Sequence, residues 1–346
     1  APSAQAPPRR GRNLALAVPT AIGLIAVLVA SVWFTPWGFV ALVCLVLALA
    51  LRELTSALSQ AGFRVPFVPL AVGAVATQVA AANSGASGVV VGIFLTLAAA
   101  ALWRALDFDY RARGADAPQT PHGQVGPPAA NENRPHHGRV GFEAQAADAS
   151  VGGGGAWTAS SAAAPVDDAV QASPAPARRP VAQDIYATAF ATLYLPTLAA
   201  LVVLLSFMEQ GRWLILVLVA IPVASDTGGY FTGYHLGKHK LAPNVSPAKT
   251  WEGLAGSVAL AAAAGIGGMA LMGRPWHFGL ALGVAGSLAA TLGDLAESLL
   301  KRSLGIKDMG SLLPGHGGVL DRVDSILMTA PFAYVLITLV GAGVFG

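Results

Sequence analysis

Residues 14–51 read LALAVPTAIGLIAVLVASVWFTPWGFVALVCLVLALAL, and no charged side chain interrupts them. A helix crossing a bilayer needs roughly 20 mostly apolar residues. This stretch supplies two in succession, divided at Thr35-Pro36. Arg9, Arg10 and Arg12 precede the first run, as basic residues precede a secretory leader. A leader's apolar core is only about 7–15 residues long, so we read this run as a retained first span.

The pattern repeats along the chain. Of 346 residues, 54% are hydrophobic and 11% charged, against about 25% charged in soluble domains. Segments of suitable length and polarity fall at about 14–34, 37–57, 66–83, 87–106, 185–207, 212–234, 252–272, 276–300 and 323–345. The expected fold is therefore an all-α polytopic membrane protein of about nine spans. Between the fourth and fifth, residues 107–184 are rich in Ala, Pro, Gly and Ser and include Gly152 to Gly155. Such composition cannot bury enough surface to offset its ordering entropy. We read it as a disordered cytoplasmic linker between an N-terminal membrane region, 1–106, and a C-terminal catalytic one, 185–346. Its histidines, His122, His136 and His137, read as part of a solvated tether.

Orientation follows from Lys and Arg, which favour the cytoplasmic side. With the N-terminus in the cytoplasm and nine alternating spans, only Arg212 and Arg274 of the 21 basic residues fall on the other side. The net charge of +3 and the lack of a basic stripe exclude nucleic acid as a partner. The single cysteine, Cys44, excludes an intrachain disulfide and a cysteine-based zinc site, and reads as a small buried hydrophobe. Gly253 with Gly256, Gly265 to Gly268, and Gly279, Gly283 and Gly286 offer small surfaces for close helix packing.

Three polar clusters fall on one predicted face. The first is Asp226-Thr227-Gly228-Gly229 with Lys238, Lys240 and Ser246-Pro247-Ala248-Lys249-Thr250. A carboxylate at a membrane boundary needs a partner, and Ser246 reads as the N-cap of a helix whose free N–H groups suit a phosphate. The second is Asp294, Glu297, Lys301 and Arg302. Asp294 and Glu297 share a helix face; Glu297 and Lys301 can simply pair. That pairing leaves Asp294, deep in an apolar helix, unexplained. The third runs from Lys307-Asp308 through Gly315-His316-Gly317-Gly318 to Asp321-Arg322-Val323-Asp324. The two glycines let backbone approach a ligand. Asp321 and Asp324 would suit a helix N-terminus. Together with Asp226 and Asp294 they would also suit a magnesium-nucleotide site, because Mg²⁺ takes one or two carboxylates and phosphate or water oxygens.

Residues 298–324, SLLKRSLGIKDMGSLLPGHGGVLDRVD, resemble the C-terminal signature of the phosphatidate cytidylyltransferase family at every defined position. Residues 226–253, DTGGYFTGYHLGKHKLAPNVSPAKTWEG, are similar to that family's other polar loop, with Gly229 where the family often has Ala. The resemblance covers roughly 185–346. It implies attack of phosphatidate on the α-phosphorus of CTP, giving CDP-diacylglycerol and pyrophosphate in phospholipid biosynthesis. It also implies Mg²⁺, with a second cation left open. The expected ligands are Asp294 and Asp321, then Asp324 and Asp226. Lys249, Lys301, Arg302, Lys307 and Arg322 would neutralise phosphates. Ser246, Thr250, Gly317 and Gly318 would donate to them, and His316 would orient the attacking group or touch the nucleotide. The resemblance implies a multi-pass protein of the cell's inner (plasma) membrane, its site facing the cytoplasm, and a homodimer as one arrangement.

A CTP-dependent lipid-alcohol kinase is the nearest alternative, distinguished by releasing CDP rather than pyrophosphate. An ion-coupled transporter is another, opposed by charges that cluster at one face instead of crossing the membrane.

Overall fold

The structure, a computed structural model, describes residues 14–106, 180–306, 308–310 and 317–341. Eight helices carry these residues: α1 Leu14–Phe34, α2 Pro36–Gln60, α3 Phe67–Leu106, α4 Val181–Ser206, α5 Gly211–Leu236, α6 Trp251–Leu271, α7 Trp276–Ser303 and α8 Leu320–Gly341. Seven of them, all but α1, include an apolar stretch long enough to cross a membrane among the described residues; Ile22–Phe34 of α1 adds a shorter one.

Thr35 ends the first run and starts the second. Its hydroxyl accepts the Gly38 N–H at 2.9 Å, and Pro36 occupies the first helical position, where a missing N–H costs nothing. Within α3, Gly85 breaks the helix at φ 62°, ψ −144°. This is glycine-only backbone, and it separates the two segments expected at 66–83 and 87–106. The halves fold against each other. A Cβ on Gly73 would collide with Thr96 and one on Gly92 would lie 2.7 Å from the Thr77 hydroxyl, while Thr77 and Thr96 hydroxyls sit 3.5 Å apart.

The bundle turns large apolar side chains outward and buries several hydroxyls and an amide within its core. Val90, Phe94, Leu95 and Leu102 are exposed, whereas Thr77, Gln78, Thr96, Thr192, Ser287 and Thr329 are buried. Gln78 donates to the Pro196 carbonyl at 3.0 Å. Apolar surface turned outward and hydroxyls turned inward suit a lipid solvent, in which interhelical contact comes from close packing and polar contacts. Trp33 meets Trp213 edge-on at 5.8 Å, and Trp37 meets Phe207 at 6.0 Å. Aromatic rings of this kind collect at membrane–water interfaces.

The small-residue seams expected from sequence are present. Gly279 packs on the Gly265 backbone, Gly283 on Ala261, Gly268 on Val217 and Gly256 on Thr232. Gly267 faces open space. α5, α6, α7 and α8 thus pack in series, while α4 joins α2 and α3 to α8.

Two boundaries differ from expectation. α4 opens at Val181, so the segment read as linker up to 184 ends in a helical turn. The reason is Asp184, which is 2% exposed; its carboxylate accepts from the Arg64 backbone N–H at 2.8 Å and from Arg104 at 2.7 Å. The rest of that segment, 107–179, lies outside the described residues. Asp184→Ala should leave Arg104 with the Arg64 carbonyl but no carboxylate partner and lower stability by about 3 kcal/mol, the usual cost of removing one partner of a buried pair. A thermal melt in detergent checks this, and an unchanged midpoint would refute it.

The second boundary concerns Ser246. It does not cap a helix: Ser246–Thr250 is a strand, β2, paired antiparallel with β1, Lys240–Ala242. The cap is Thr250, whose hydroxyl accepts the Gly253 N–H at 3.1 Å. The hairpin is closed at its base by Glu252, whose carboxylate accepts the Lys238 and His239 N–H groups at 3.1 and 3.2 Å. With those groups satisfied across the hairpin, the helix begins four residues later than the Ser-Pro start suggests.

Candidate functional site at the helix ends

The site is assembled where α5, α7 and α8 are locked together. Ser225 and Ser287 hydroxyls share a hydrogen bond of 2.9 Å, buried between α5 and α7. Thr329 on α8 donates to the Ser325 carbonyl at 2.8 Å and reaches the Gly286 carbonyl at 3.3 Å. A Cβ on Gly293 would stand 2.6 Å from Met328. Glycine there lets α8 approach α7 beside Asp294.

That approach brings three carboxylates together. Donor oxygens of Asp294, Glu297 and Asp324 all lie within 4.8 Å of one another. Glu297 and Asp324 are each 3% exposed, and Glu297 Oε1 has no hydrogen-bond partner among the described residues. Buried carboxylates crowded this closely repel unless something positive joins them. An all-oxygen donor set, whose buried Glu297 Oε1 stands 3.4 Å from the Lys301 ammonium without a hydrogen bond, fits a hard divalent cation such as Mg²⁺.

Cations flank the group on two sides. Lys249, at the end of β2, reaches across to Asp294 at 2.5 Å. Lys301 lies 3.4 Å from Glu297 and 2.9 Å from Asp321. Asp321 is therefore engaged by Lys301 and also accepts the Gly318 N–H at 3.0 Å; it stands beside the trio. Glu297, which the i,i+4 spacing assigned to a simple pair with Lys301, belongs both to that pair and to the trio. Asp226 feels Asp294, Lys249, Asp324 and Arg322 electrostatically. It lines a cleft with Tyr230, Lys249, Thr250, Ser257 and Thr291. Arg322 and Arg302 are exposed at the same helix ends. Ser246 is half-buried at the head of β2 and is not among the residues lining that cleft. Gly229 leaves room for the Ser257 hydroxyl, which donates to the Ser225 carbonyl at 2.7 Å.

Gly317 has φ +86°, which requires glycine. Gly318 is glycine for another reason: its Cβ would lie 2.7 Å from a carboxylate oxygen of Glu53 and 2.9 Å from one of Asp321. His316 and Lys307 lie outside the described residues. Glu53 was not signalled by the sequence. It follows Arg52 near the end of an apolar helix, where an acidic residue reads as a solvated end.

A helical bundle with apolar outer faces, whose polar groups gather at the ends of its helices into an acidic trio flanked by lysines, defines an integral membrane protein with a buried acidic cluster. The cytidylyltransferase family matches residues 16–340 of the chain. A phosphatidate cytidylyltransferase of Mycobacterium leprae (strain TN) is 33% identical over 334 residues, 96% of this chain and 90% of that protein. The enzyme of the same name from Mycobacterium tuberculosis (strain ATCC 25618 / H37Rv) has the same identity over 96% of this chain and 84% of its own length. One from Brucella suis biovar 1 (strain 1330) is 46% identical over 122 residues, 35% of this chain and 45% of that protein. The chain belongs to the cytidylyltransferase family.

Proposed function

We propose that the chain transfers CMP from CTP to phosphatidate, forming CDP-diacylglycerol and pyrophosphate. The observation that carries this reading is the trio Asp294, Glu297 and Asp324 between Lys249 and Lys301, in a chain of this family. A phosphate oxygen of phosphatidate attacks the α-phosphorus of CTP. The bond from that phosphorus to the bridging oxygen breaks, and pyrophosphate leaves with the electron pair. The nucleophile is already an anion, so no side chain need remove a proton. The work left to the protein is positioning and charge compensation.

Asp294, Glu297 and Asp324 would hold Mg²⁺, with Asp226 the next carboxylate toward the cleft. Bound there, the cation would neutralise phosphate charge on the substrates. Lys249 is tied to Asp294 and stands at the cleft, suited to meet phosphate when that tie loosens. Arg302 and Arg322, both exposed, supply further positive charge for two polyanionic substrates. Lys301 compensates Glu297 and Asp321 and holds α7 to α8. Thr250 keeps its hydroxyl on the Gly253 N–H, so its part is to fix the start of α6 beside the cleft.

The proposed topology has nine crossings, counting α1 and both halves of α3, with the N-terminus and site on the cytoplasmic side of the inner membrane. The basic residues sort that way, leaving Arg212 and Arg274 opposite. Phosphatidate then keeps its acyl chains in the bilayer while CTP arrives from water at the helix ends. The 1–106 and 181–346 regions form the working unit, and a second copy of the chain is its proposed partner.

Purified protein in detergent, given phosphatidate, Mg²⁺ and CTP labelled on the α-phosphorus, should move label into lipid and stop on addition of EDTA. Label confined to CDP, with phosphate appearing on a lipid alcohol, would replace this reading with a kinase.

A further inference from the structure

Glu53 lies on α2, in the membrane region that carries no recognisable motif, yet its carboxylate sits against Gly310, Gly318 and Leu320. It is 4% exposed. Oε2 accepts the Leu320 backbone N–H at 2.9 Å, at the first residue of α8. The same oxygen lies 2.7 Å from where a Gly318 Cβ would stand, and the carboxylate fills the space a Gly310 side chain would need. Oε1 has no hydrogen-bond partner among the described residues. A buried carboxylate with one oxygen unsatisfied is a poor choice for stability alone. An apolar side chain would fill that space more cheaply, but it would leave the first N–H of α8 without an acceptor.

The turn Gly318–Asp321 is consequently gripped from two sides. From within, Asp321 accepts the Gly318 N–H at 3.0 Å; from α2, Glu53 accepts the Leu320 N–H. Asp321 is also the partner of Lys301, and Asp324, one turn on, is a member of the trio. Any shift of this turn moves both carboxylates relative to α7.

We infer that Glu53 is a positioning residue for the reaction: through the Leu320 N–H and the packed Gly310 and Gly318 backbones it sets the register in which α8 presents Asp321 and Asp324 to α7. The N-terminal helices therefore help to set the geometry of the site and are not merely an anchor. This rests on the transfer reaction proposed above.

The test compares Glu53→Ala, Glu53→Gln and, as a control for lost packing, Leu70→Ala in the buried face of α3. Glu53→Ala should lower kcat by on the order of 100-fold, as expected when reacting groups are displaced by about an ångström. Glu53→Gln keeps an oxygen for the Leu320 N–H and should stay within about threefold of the parent, a factor worth less than about 1 kcal/mol. Leu70→Ala should lower the melting temperature with kcat unchanged. Independently of turnover, amide exchange of the peptide covering 317–324 should quicken in Glu53→Ala and not in Glu53→Gln. Parent-like kcat in Glu53→Ala, or equal losses of kcat in Glu53→Ala and Leu70→Ala, would overturn the inference. An inactive parent would count against the transfer reaction instead, leaving amide exchange to decide whether Glu53 holds the turn.

Discussion

Asp294→Asn is expected to lower turnover by on the order of a thousandfold, the upper range for removing one preorganised electrostatic contact at a reacting centre. Among the trio, Asp294 is the member that solvent and substrate can reach: its side chain is 40% exposed, while that of Glu297 is nearly sealed. Asparagine keeps the shape and one oxygen but not the charge. Loss of charge there weakens any cation held by the trio and frees Lys249 from its partner. Because Asp294 is only half-buried, the variant should fold, elute as a single species and melt near the parent temperature. Two measurements decide the matter: label transferred from CTP to lipid, and the Mg²⁺ concentration giving half-maximal rate. A low rate that saturating Mg²⁺ does not restore, in a folded protein, is the expected result. Parent-like turnover at ordinary Mg²⁺ would remove Asp294 from the site.

Lys301→Met should have the largest effect on stability, about 3–5 kcal/mol, the cost of stripping the cation from buried carboxylates. Lys301 is 16% exposed and serves Glu297 on its own helix and Asp321 on α8. Methionine fills the same volume but leaves both acids uncompensated, next to an Asp324 that is itself buried. Melting in detergent should therefore fall steeply. Adding Glu297→Gln to Lys301→Met should recover part of the loss, because one of the stranded charges is gone; such non-additivity is the mark of groups in contact. If Lys301→Met melted with the parent and only turnover fell, Lys301 would be a substrate contact alone, with no part in joining α7 to α8.

The two variants separate roles that the sequence merges. On a helix, Asp294, Glu297 and Lys301 fall three and four residues apart, and both a solvated ion pair and a cation site have that spacing. What divides them is burial, which depends on α8. Glu297 is sealed because Gly293 lets α8 come close, and the donor set becomes three only when Asp324 arrives from 27 positions along the chain. Asp321 was expected ahead of Asp324 as a ligand. One turn of helix rotates it toward Lys301 and the Gly318 N–H instead.

The hairpin and two buried acids, Glu53 and Asp184, show where local reading stops. Ser246-Pro247 is a sound helix start by local rules, but Thr250 competes for the same role. The pairing of Ser246 with Ala242 decides between them. Glu53 and Asp184 look like ordinary helix-end charges in one dimension. Each is buried by backbone N–H groups from remote segments, Leu320 for one and Arg64 for the other.

By itself the sequence determined the medium and the chemistry. Long uncharged runs can be satisfied only in lipid as helices, because every backbone polar group must bond within its own segment. The glycine seams followed, since close approach needs small residues wherever their partners lie. The chemical character of the site was legible too, since carboxylates and lysines at span ends are costly without a role. Only the tertiary structure decided which acids share a site, which cation serves which acid, and that α2 reaches the Gly318–Asp321 turn. Those are matters of helix rotation and of contacts across hundreds of residues, and side-chain period along a single helix carries no information about the neighbour it will meet.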